Sequence, residues 1–466
     1  MIKHLLFILS ATLLFSCNSE KERSGDTYFG GEIVNPKTKH IVILKDGAVI
    51  DSILLNEDNT FFYKFKDPVS GIYTFQHNEF QMFYLQPGDS LMLRVNTMGF
   101  DESLHYSGIG AKDNNFLMKL FLQNEAEARV ITKDYLLSPK EFSEKLDSLD
   151  AEHTKELNKF IKKNDPAEEF VKIAESNFRY NEYIKKELYT AVYNRNAERV
   201  ANANFPDDFY AYRSEIDLGN NKLRTYYPYY RFLDLYFDNL AFENYDNNSS
   251  LDRTSFTHKK AKIQLIDSLV TNDSLKNSLI RRNARNYLLH TKDPDNGRKM
   301  VEMVQRLNDN PTHQEEIKNL AQATNKLTPG QKVPNVVLVN SDNEAKKLHE
   351  ILTKRTVLYF WSMESVKHFK DIHSKVAELS SKYPEFEFIG INTDTHYKKW
   401  LQTVKMSGFN KEKEFQLEDI ENAERSLVLT SNNKALIIKR NGEILESNTN
   451  LFNQSIEEQL LAFLNL

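Results

Sequence analysis

Short runs of apolar residues alternate with turn residues between residues 27 and 110. Apolar side chains fill 41–44 and 61–63, and turn sequences such as Lys45-Asp46-Gly47 and Pro87-Gly88-Asp89 separate the runs. Closely spaced strands joined by Gly, Pro and Asp turns are typical of two antiparallel sheets packed face to face. The pattern therefore predicts an N-terminal antiparallel β-sandwich over residues 27–110.

The pattern becomes helical between residues 113 and 325, where glycine is scarce. Apolar residues recur three or four positions apart, a spacing that places them on one face of a helix. Examples are Phe142, Leu146 and Leu149, followed by Phe170, Ile173, Ala174 and Phe178. We predict a central α-helical array over residues 113–325. Asp165-Pro166 and Asn310-Pro311 are predicted helix starts with proline at the first helical position.

Aromatic residues are concentrated at positions 226–232, in the sequence Tyr-Tyr-Pro-Tyr-Tyr-Arg-Phe. Such a cluster can line a groove and stack a ligand such as a sugar. Large aromatic side chains more often fill a core, because each buries a large apolar area. We interpret this segment as core, with the groove as the alternative.

Two mainly apolar runs mark the C-terminal region, residues 326–466. Residues 356–361 and 386–391 are continuous enough to be strands buried on both faces. A helical pattern separates them, and a turn at Asn441-Gly442 lies within a hairpin. Strands joined by helices pair in parallel, whereas the hairpin adds antiparallel strands. We predict an α/β domain with a mixed sheet, and for the whole chain a multidomain α+β architecture.

The N-terminus reads as a secretory signal, with Lys3 and His4 followed by an apolar run over residues 5–15. This run is shorter than the about 20 residues that span a bilayer. Leu14-Phe15-Ser16-Cys17 resembles the bacterial lipobox, which implies a signal peptide over residues 1–16 and a lipidated Cys17 with a tether over residues 17–26. The alternative is an ordinary signal peptide with a chance cysteine.

Lipidation implies a location in the cell envelope. Acidic residues just after Cys17 resemble sorting signals of outer-membrane lipoproteins, so we expect a protein anchored at the outer membrane, facing the periplasm or the cell surface. The formal net charge is −5 and no basic block is evident, which argues against a nucleic-acid partner.

The C-terminal region resembles the thioredoxin-like thiol-disulfide oxidoreductases of the bacterial envelope. The resemblance covers residues 326–466 and lies in Pro334, Phe360-Trp361-Ser362, Ile389-Gly390-Ile391 and Asn441-Gly442-Glu443-Ile444. It implies a thioredoxin-like fold. Members carry a Cys-x-x-Cys motif where this chain has Ser365-Val366-Lys367-His368, and a cis-proline where it has Asn433. The β-sandwich resembles the domain that often precedes such a domain in envelope proteins.

Disulfide exchange needs one thiolate to attack sulfur and a second thiol to resolve the mixed disulfide. Cys17 is the only cysteine of the chain, and lipidation would occupy it. We therefore expect a non-catalytic lipoprotein that uses no cofactor and serves as a binding or assembly module for an envelope protein or a small ligand. The residues expected at the binding surface are Trp361, Ser365, His368 and Asn433.

Two enzymatic alternatives compete with this interpretation. Family resemblance favours a thiol-disulfide oxidoreductase. Ser365 and His368, at i and i+3, could instead be the nucleophile and base of a hydrolase, although no Gly-x-Ser-x-Gly elbow surrounds the serine. The simpler hypothesis is that Ser365 caps a helix. Glu364 and His368 could bind a metal, but no third ligand is evident, so we expect none.

Overall fold

A computed structural model describes residues 25–195, 204–243 and 252–464. The chain divides into unit 1, Met1–Ile216 with Lys222–Phe232, and unit 2, Asp217–Asn221 with Leu233–Leu466. The predicted signal peptide and Cys17 lie outside the described residues. Within the described ranges, no helix combines the length and the apolar character needed to cross a bilayer.

Unit 1 begins with two four-stranded sheets, as the predicted β-sandwich requires. One sheet has the order β4-β1-β7-β8 and the other the order β3-β2-β5-β6. All pairs are antiparallel except β1 with β7, which is parallel. The strands are β1 (Tyr28–Val34), β2 (His40–Lys45), β3 (Ala48–Leu54), β4 (Thr60–Lys64), β5 (Gly71–His77), β6 (Glu79–Leu85), β7 (Ser90–Asn96) and β8 (His105–Ile109).

The parallel pair depends on a glycine. Gly31 lies opposite Leu93 and has a φ of +153°, and a Cβ added to it would lie 2.0 Å from the Leu93 carbonyl oxygen. Only a residue without a side chain permits this approach. Phe29 on the same strand stacks on Phe83 of the other sheet with ring centroids 4.4 Å apart, so the core lies between the two sheets.

The helices of unit 1 follow the sandwich. Asp165 ends α3 in the left-handed conformation with a φ of 46°, and α4 begins at Glu168. The predicted helix start at Asp165-Pro166 is therefore wrong by two to three residues, because Asp165 already serves as the C-cap of α3. The helices are α1 (Phe100–Ser103), α2 (Ala111–Asp134), α3 (Pro139–Asn164), α4 (Glu168–Tyr193), a 3₁₀ helix (Ala211–Glu215) and α5 (Tyr227–Glu243), within which unit 1 ends at Phe232.

Unit 2 continues with four further helices before the C-terminal sheet. Side chains of Ser255, Asn272, Asp293 and Asn310 accept hydrogen bonds from the first-turn amides of these helices. Pro311 occupies the first turn of the fourth helix, as predicted. The helices are α6 (Phe256–Leu269), α7 (Asp273–His290), α8 (Pro294–Leu307) and α9 (Pro311–Lys326).

The C-terminal domain is a seven-stranded mixed sheet of order β10-β9-β13-β12-β11-β14-β15. β11 pairs in parallel with β12 and antiparallel with β14, and apolar side chains pack on both faces of the sheet. The elements are β9 (Val337–Val339), β10 (Ala345–Lys347), α10 (Leu348–Ile351), β11 (Arg355–Trp361), α11 (Val366–Lys382), β12 (Phe386–Asn392), α12 (Tyr397–Ser407), β13 (Glu414–Leu417), α13 (Ile420–Ser426), β14 (Lys434–Ile438), β15 (Ile444–Asn450) and α14 (Ile456–Leu464).

Candidate functional site

Side-chain hydrogen bonds fix the loop between β11 and α11. Asp394, just after β12, accepts from the Ser362 hydroxyl at 2.5 Å and from the Met363 amide at 2.7 Å. Asn392 donates to the same carboxylate at 2.8 Å, and Gln416 donates to the side-chain oxygen of Asn392 at 3.1 Å. Parallel strands bring their carboxyl ends to one edge of the sheet, so β11 and β12 deliver these groups together. The loop is thus held without a disulfide.

A buried carboxylate lies beneath this loop. Glu414 is 3% exposed and accepts from the Tyr359 hydroxyl at 2.7 Å and from the Trp361 indole N–H at 2.8 Å. His373 Nε2 lies 3.2 Å from the same carboxylate. Burial, and then the neighbouring Glu414, raise the pKa of Tyr359. A buried charge needs such partners, because desolvation otherwise costs several kcal/mol.

The proton on His373 is constrained by two acceptors. Nδ1 lies 2.6 Å from the Phe369 carbonyl oxygen, which can only accept, so this nitrogen carries a proton. Nε2 faces the Glu414 carboxylate. The His373 ring also stacks on Phe409 with centroids 3.6 Å apart, which fixes its orientation.

Gly390 makes room for this carboxylate. It lies opposite Glu414 in the parallel pairing of β12 with β13, and a Cβ built on it would lie 2.4 Å from a Glu414 carboxylate oxygen. No side chain fits at Gly390. The glycine of the Ile389-Gly390-Ile391 sequence, which carries part of the family resemblance, is therefore required for the buried Glu414 cluster to form.

Ser365, at the first position of the segment that resemblance aligns with Cys-x-x-Cys, is the N-cap residue of α11 and is exposed. Its hydroxyl makes no hydrogen bond to the first-turn amides. The hypothesis that this side chain caps the helix is therefore wrong. The reason is the backbone, whose φ of −103° and ψ of 73° depart from the β-region values usual for a capping residue.

His368, at the fourth position of that segment, is half-buried. Neither ring nitrogen makes a hydrogen bond with protein atoms. Burial lowers its pKa, and the nearby Asn433 side chain offsets part of this effect. The ring packs edge-on near Phe452 with centroids 6.1 Å apart. Since His368 accepts no proton from Ser365, the described geometry lacks the nucleophile–base bond of a hydrolase.

The four predicted binding residues separate into two groups. Ser365, His368 and Asn433 lie at or near the surface, and His368 and Asn433 are neighbours. Trp361 is 0% exposed, so its indole belongs to the buried Glu414 cluster and offers no binding surface. Among the described residues, no group of three or more His, Cys, Asp or Glu side chains could hold a metal ion, and Glu364 and His368 therefore have no third ligand there.

Next to Asn433, Lys434 is a buried cation. Its ammonium group donates to the Leu427 carbonyl at 2.8 Å and to the Val428 carbonyl at 3.0 Å. These carbonyls close α13, where Val428 has the left-handed φ of 51° that usually requires glycine. Lys434 is 7% exposed, and burial lowers its pKa to about 8.

Residues 353–444 match a protein-family model described as thioredoxin-like. The C-terminal domain is thioredoxin-like. No curated protein matches the sequence. The chain is similar to a solved thioredoxin-like protein from Bacteroides caccae, at 14% identity and a TM-score of 0.34, over 60% of this chain and 92% of that one.

Two further solved structures are similar to part of the chain. The thioredoxin domain of a thiol-disulfide oxidoreductase from Bacteroides vulgatus is 14% identical, with 29% of this chain and 98% of that chain covered and a TM-score of 0.25. A thiol:disulfide interchange protein from Bacteroides sp. is 14% identical, with 26% and 81% covered and a TM-score of 0.24.

Sequence reasoning missed the groups that organise this thioredoxin-like domain, namely Glu414, His373 and Asp394. A signal for the first was present. Glu414 and Gln416 alternate with apolar Phe415 and Leu417 in a strand that is buried throughout. Polar residues at i and i+2 of a buried strand point to the same face, where each needs a polar partner.

Proposed function

We propose that this chain is a cell-envelope lipoprotein, anchored through Cys17, whose thioredoxin-like domain binds an envelope protein without redox chemistry. The pair Ser365 and His368 carries the proposal. These residues stand at the positions that resemblance aligns with the two thiols, while the scaffold around them is intact. Cys17 is the only cysteine of the sequence and lipidation would occupy its thiol, so disulfide exchange in cis would have neither an attacking nor a resolving thiol.

Features of the loop support docking. Asp394 already fixes the loop, so little conformational entropy would be lost when a partner binds. Apolar side chains flank it: Val366 is 51% exposed, and Phe452, beside His368, is 42% exposed. A pre-organised loop with apolar flanks is a surface suited to a polypeptide partner.

A disulfide-reduction assay tests the absence of redox chemistry. The purified protein with Cys17→Ser should reduce a protein disulfide no faster than buffer. The double variant Ser365→Cys/His368→Cys is the matched control, because it restores both thiols at i and i+3 and should form an internal disulfide. Turnover by the protein without the restored thiols would contradict the proposal.

Photo-crosslinking tests the docking surface. A photoreactive amino acid at Val366 or Phe452 should give crosslinks to one defined envelope protein in intact cells. The same group at Leu269, which is 37% exposed on α6, is the control and should give none to that protein. Val366→Glu should abolish co-purification of the partner. Equal crosslinking from Leu269 would overturn the assignment of the surface.

Membrane fractionation tests the anchor. Lipidation at Cys17 would hold the protein in the membrane fraction, because two or more acyl chains bind a bilayer stably. Cys17→Ala should move the protein to the soluble fraction and remove the lipid from its mass. A Cys17→Ala protein that stays membrane-bound in high salt would show that another feature is the anchor.

A further inference from the structure

Unit 1 contains a cavity of about 1020 Å³. Its walls are the β5–β6 hairpin, one face each of α2 and α4, and the start of α5. The volume matches the upper range of pockets that hold small organic ligands, about 300–1,000 Å³. The aromatic segment 226–232 contributes to it: Tyr226 and Pro228 are buried, and Tyr227 is exposed. This segment thus serves both core and groove.

A directional chain of hydrogen bonds runs along the cavity wall. Asn124 on α2 donates to the side-chain oxygen of Asn177 on α4 at 2.9 Å. Asn177, which is 7% exposed, donates in turn to the Tyr226 hydroxyl at 2.6 Å. Asn124 also donates to the Leu120 carbonyl at 2.9 Å, so its amide nitrogen must face these two acceptors. This fixes the orientation of the Asn124 amide.

Both ends of this chain remain open. The Asn124 side-chain oxygen is buried and has no hydrogen-bond partner. At the other end, the Tyr226 hydroxyl accepts from Asn177 and keeps its own proton for a further acceptor. A buried acceptor without a donor is costly, and Asn124 and Tyr226 both line the cavity. A hydroxyl group suits both ends, since it can donate to Asn124 and accept from Tyr226.

Exposed rings and balanced charges define the rest of the cavity. Phe80 is 57% exposed and Tyr227 is 42% exposed, and both rings line it. The charged lining consists of three carboxylates and three cations: Glu79, Asp101, Glu125, Arg129, Lys185 and Arg231. Because the charges balance, the cavity favours an uncharged ligand over an anion or a cation.

We infer that this cavity binds a neutral oligosaccharide of a few residues, whose hydroxyls close the Asn124–Asn177–Tyr226 chain and whose apolar faces pack on Phe80 and Tyr227. A sugar combines many hydroxyls with C–H faces and carries no charge, which matches the open polar ends, the exposed rings and the balanced lining. The site lies in unit 1 and goes beyond the function proposed for the thioredoxin-like domain.

Isothermal titration calorimetry on the full chain tests this site. The probes are maltotriose, cellotriose and tri-N-acetylchitotriose, with trigalacturonate as the acidic comparator. At least one neutral trisaccharide should bind saturably, and Tyr226→Phe should weaken that binding about tenfold through loss of one hydrogen bond. Phe80→Ala should weaken it several-fold.

Phe62→Ala is the matched control, because Phe62 on β4 is 58% exposed in the same unit and does not line the cavity. It should leave binding unchanged. Phe80→Ala removes an exposed ring, so the variant folds, and thermal unfolding verifies this. Binding by none of the neutral sugars, binding of trigalacturonate alone, or equal effects of Phe80→Ala and Phe62→Ala would each overturn the inference.

Discussion

Two polar networks of the protein differ in whether their members are satisfied. Under the thioredoxin-like loop, Asp394 accepts from three donors, and Glu414 accepts from two donors and contacts His373 Nε2, so each carboxylate has its partners within the protein. In unit 1, the Asn124–Asn177–Tyr226 chain begins with an unpaired oxygen and ends with an unused proton. A closed network needs nothing from outside the protein, whereas an open one requires a ligand or water.

We interpret the closed network as structural scaffold and the open chain as part of a binding site. The closed network holds the loop between β11 and α11, and this loop contains no cysteine. The hydrogen bonds of the network therefore stabilise the packing and the shape of the loop. Reactive groups at the surface can change without disturbing it, because Ser365 and His368 make no hydrogen bonds to it. Substitutions within the closed network should therefore lower the free energy of unfolding, whereas substitutions of Ser365 or His368 should change it very little.

The largest effect should come from Glu414→Ala. The change leaves the Tyr359 hydroxyl and the Trp361 indole without an acceptor and His373 Nε2 without its polar partner in a buried site, which should lower the free energy of unfolding by about 3–5 kcal/mol. Both tryptophans of the chain, Trp361 and Trp400, are 0% exposed in this domain, so their fluorescence in urea follows its unfolding.

Glu412→Ala is the control for that experiment, because this exposed glutamate lies two residues away on the same segment. It should change the free energy of unfolding by less than about 0.5 kcal/mol. If the two alanine variants were equally stable, the Glu414 cluster would not be a closed structural network.

Lys434 adds a test by pH. Its pKa is about 8 when folded and 10.5 when unfolded, so between these values the unfolded chain binds more protons. The free energy of unfolding should therefore rise with pH through this window, by up to about 3 kcal/mol. The rise should disappear in Lys434→Gln and remain in Lys411→Gln, an exposed control. Parallel pH profiles of the protein and Lys434→Gln would refute this.

Sequence patterns predicted the regular elements of the thioredoxin-like domain well. The apolar runs predicted β11 and β12, and the three-and-four spacing of Phe369, Ile372, Val376 and Leu379 predicted α11. These patterns were predictive because the spacing of apolar residues follows directly from which side chains are buried. The parallel pairing of β1 with β7 was missed, because the partner of a strand depends on contacts far apart in sequence, here at Gly31 and Leu93.

The candidate site was predicted only in part. Resemblance identified Ser365, His368 and Asn433, which lie close to the surface, but also Trp361, which is buried. Glu414, His373 and Asp394 come from separate elements and carry no motif. Their hydrogen bonds exist only after the sheet forms, so a local pattern could not pair them.

Asp394→Ala tests the other carboxylate of the closed network, at a smaller expected cost of about 2 kcal/mol, because Asp394 is partly exposed and water can replace some of its bonds. Freed from the carboxylate, the Met363 amide should exchange hydrogen faster, which mass spectrometry of the loop peptide measures. Asp342→Ala, at an exposed aspartate, is the control. Unchanged exchange at Met363 would mean that Asp394 does not fix the loop.

The smallest effect should come from Ser365→Ala. A serine that caps a helix stabilises it by about 1 kcal/mol, but the Ser365 hydroxyl accepts no first-turn amide, so its removal should cost less than about 0.5 kcal/mol. Asp419→Ala is the matched cap variant in the same domain, because Asp419 accepts from the Asn422 amide at 3.0 Å at the start of α13. It should cost about 1 kcal/mol in the same urea titration. If Ser365→Ala lowered the free energy of unfolding as much as Asp419→Ala does, Ser365 would be part of the structural scaffold. Substitutions at the surface above the closed network would then not be neutral for stability.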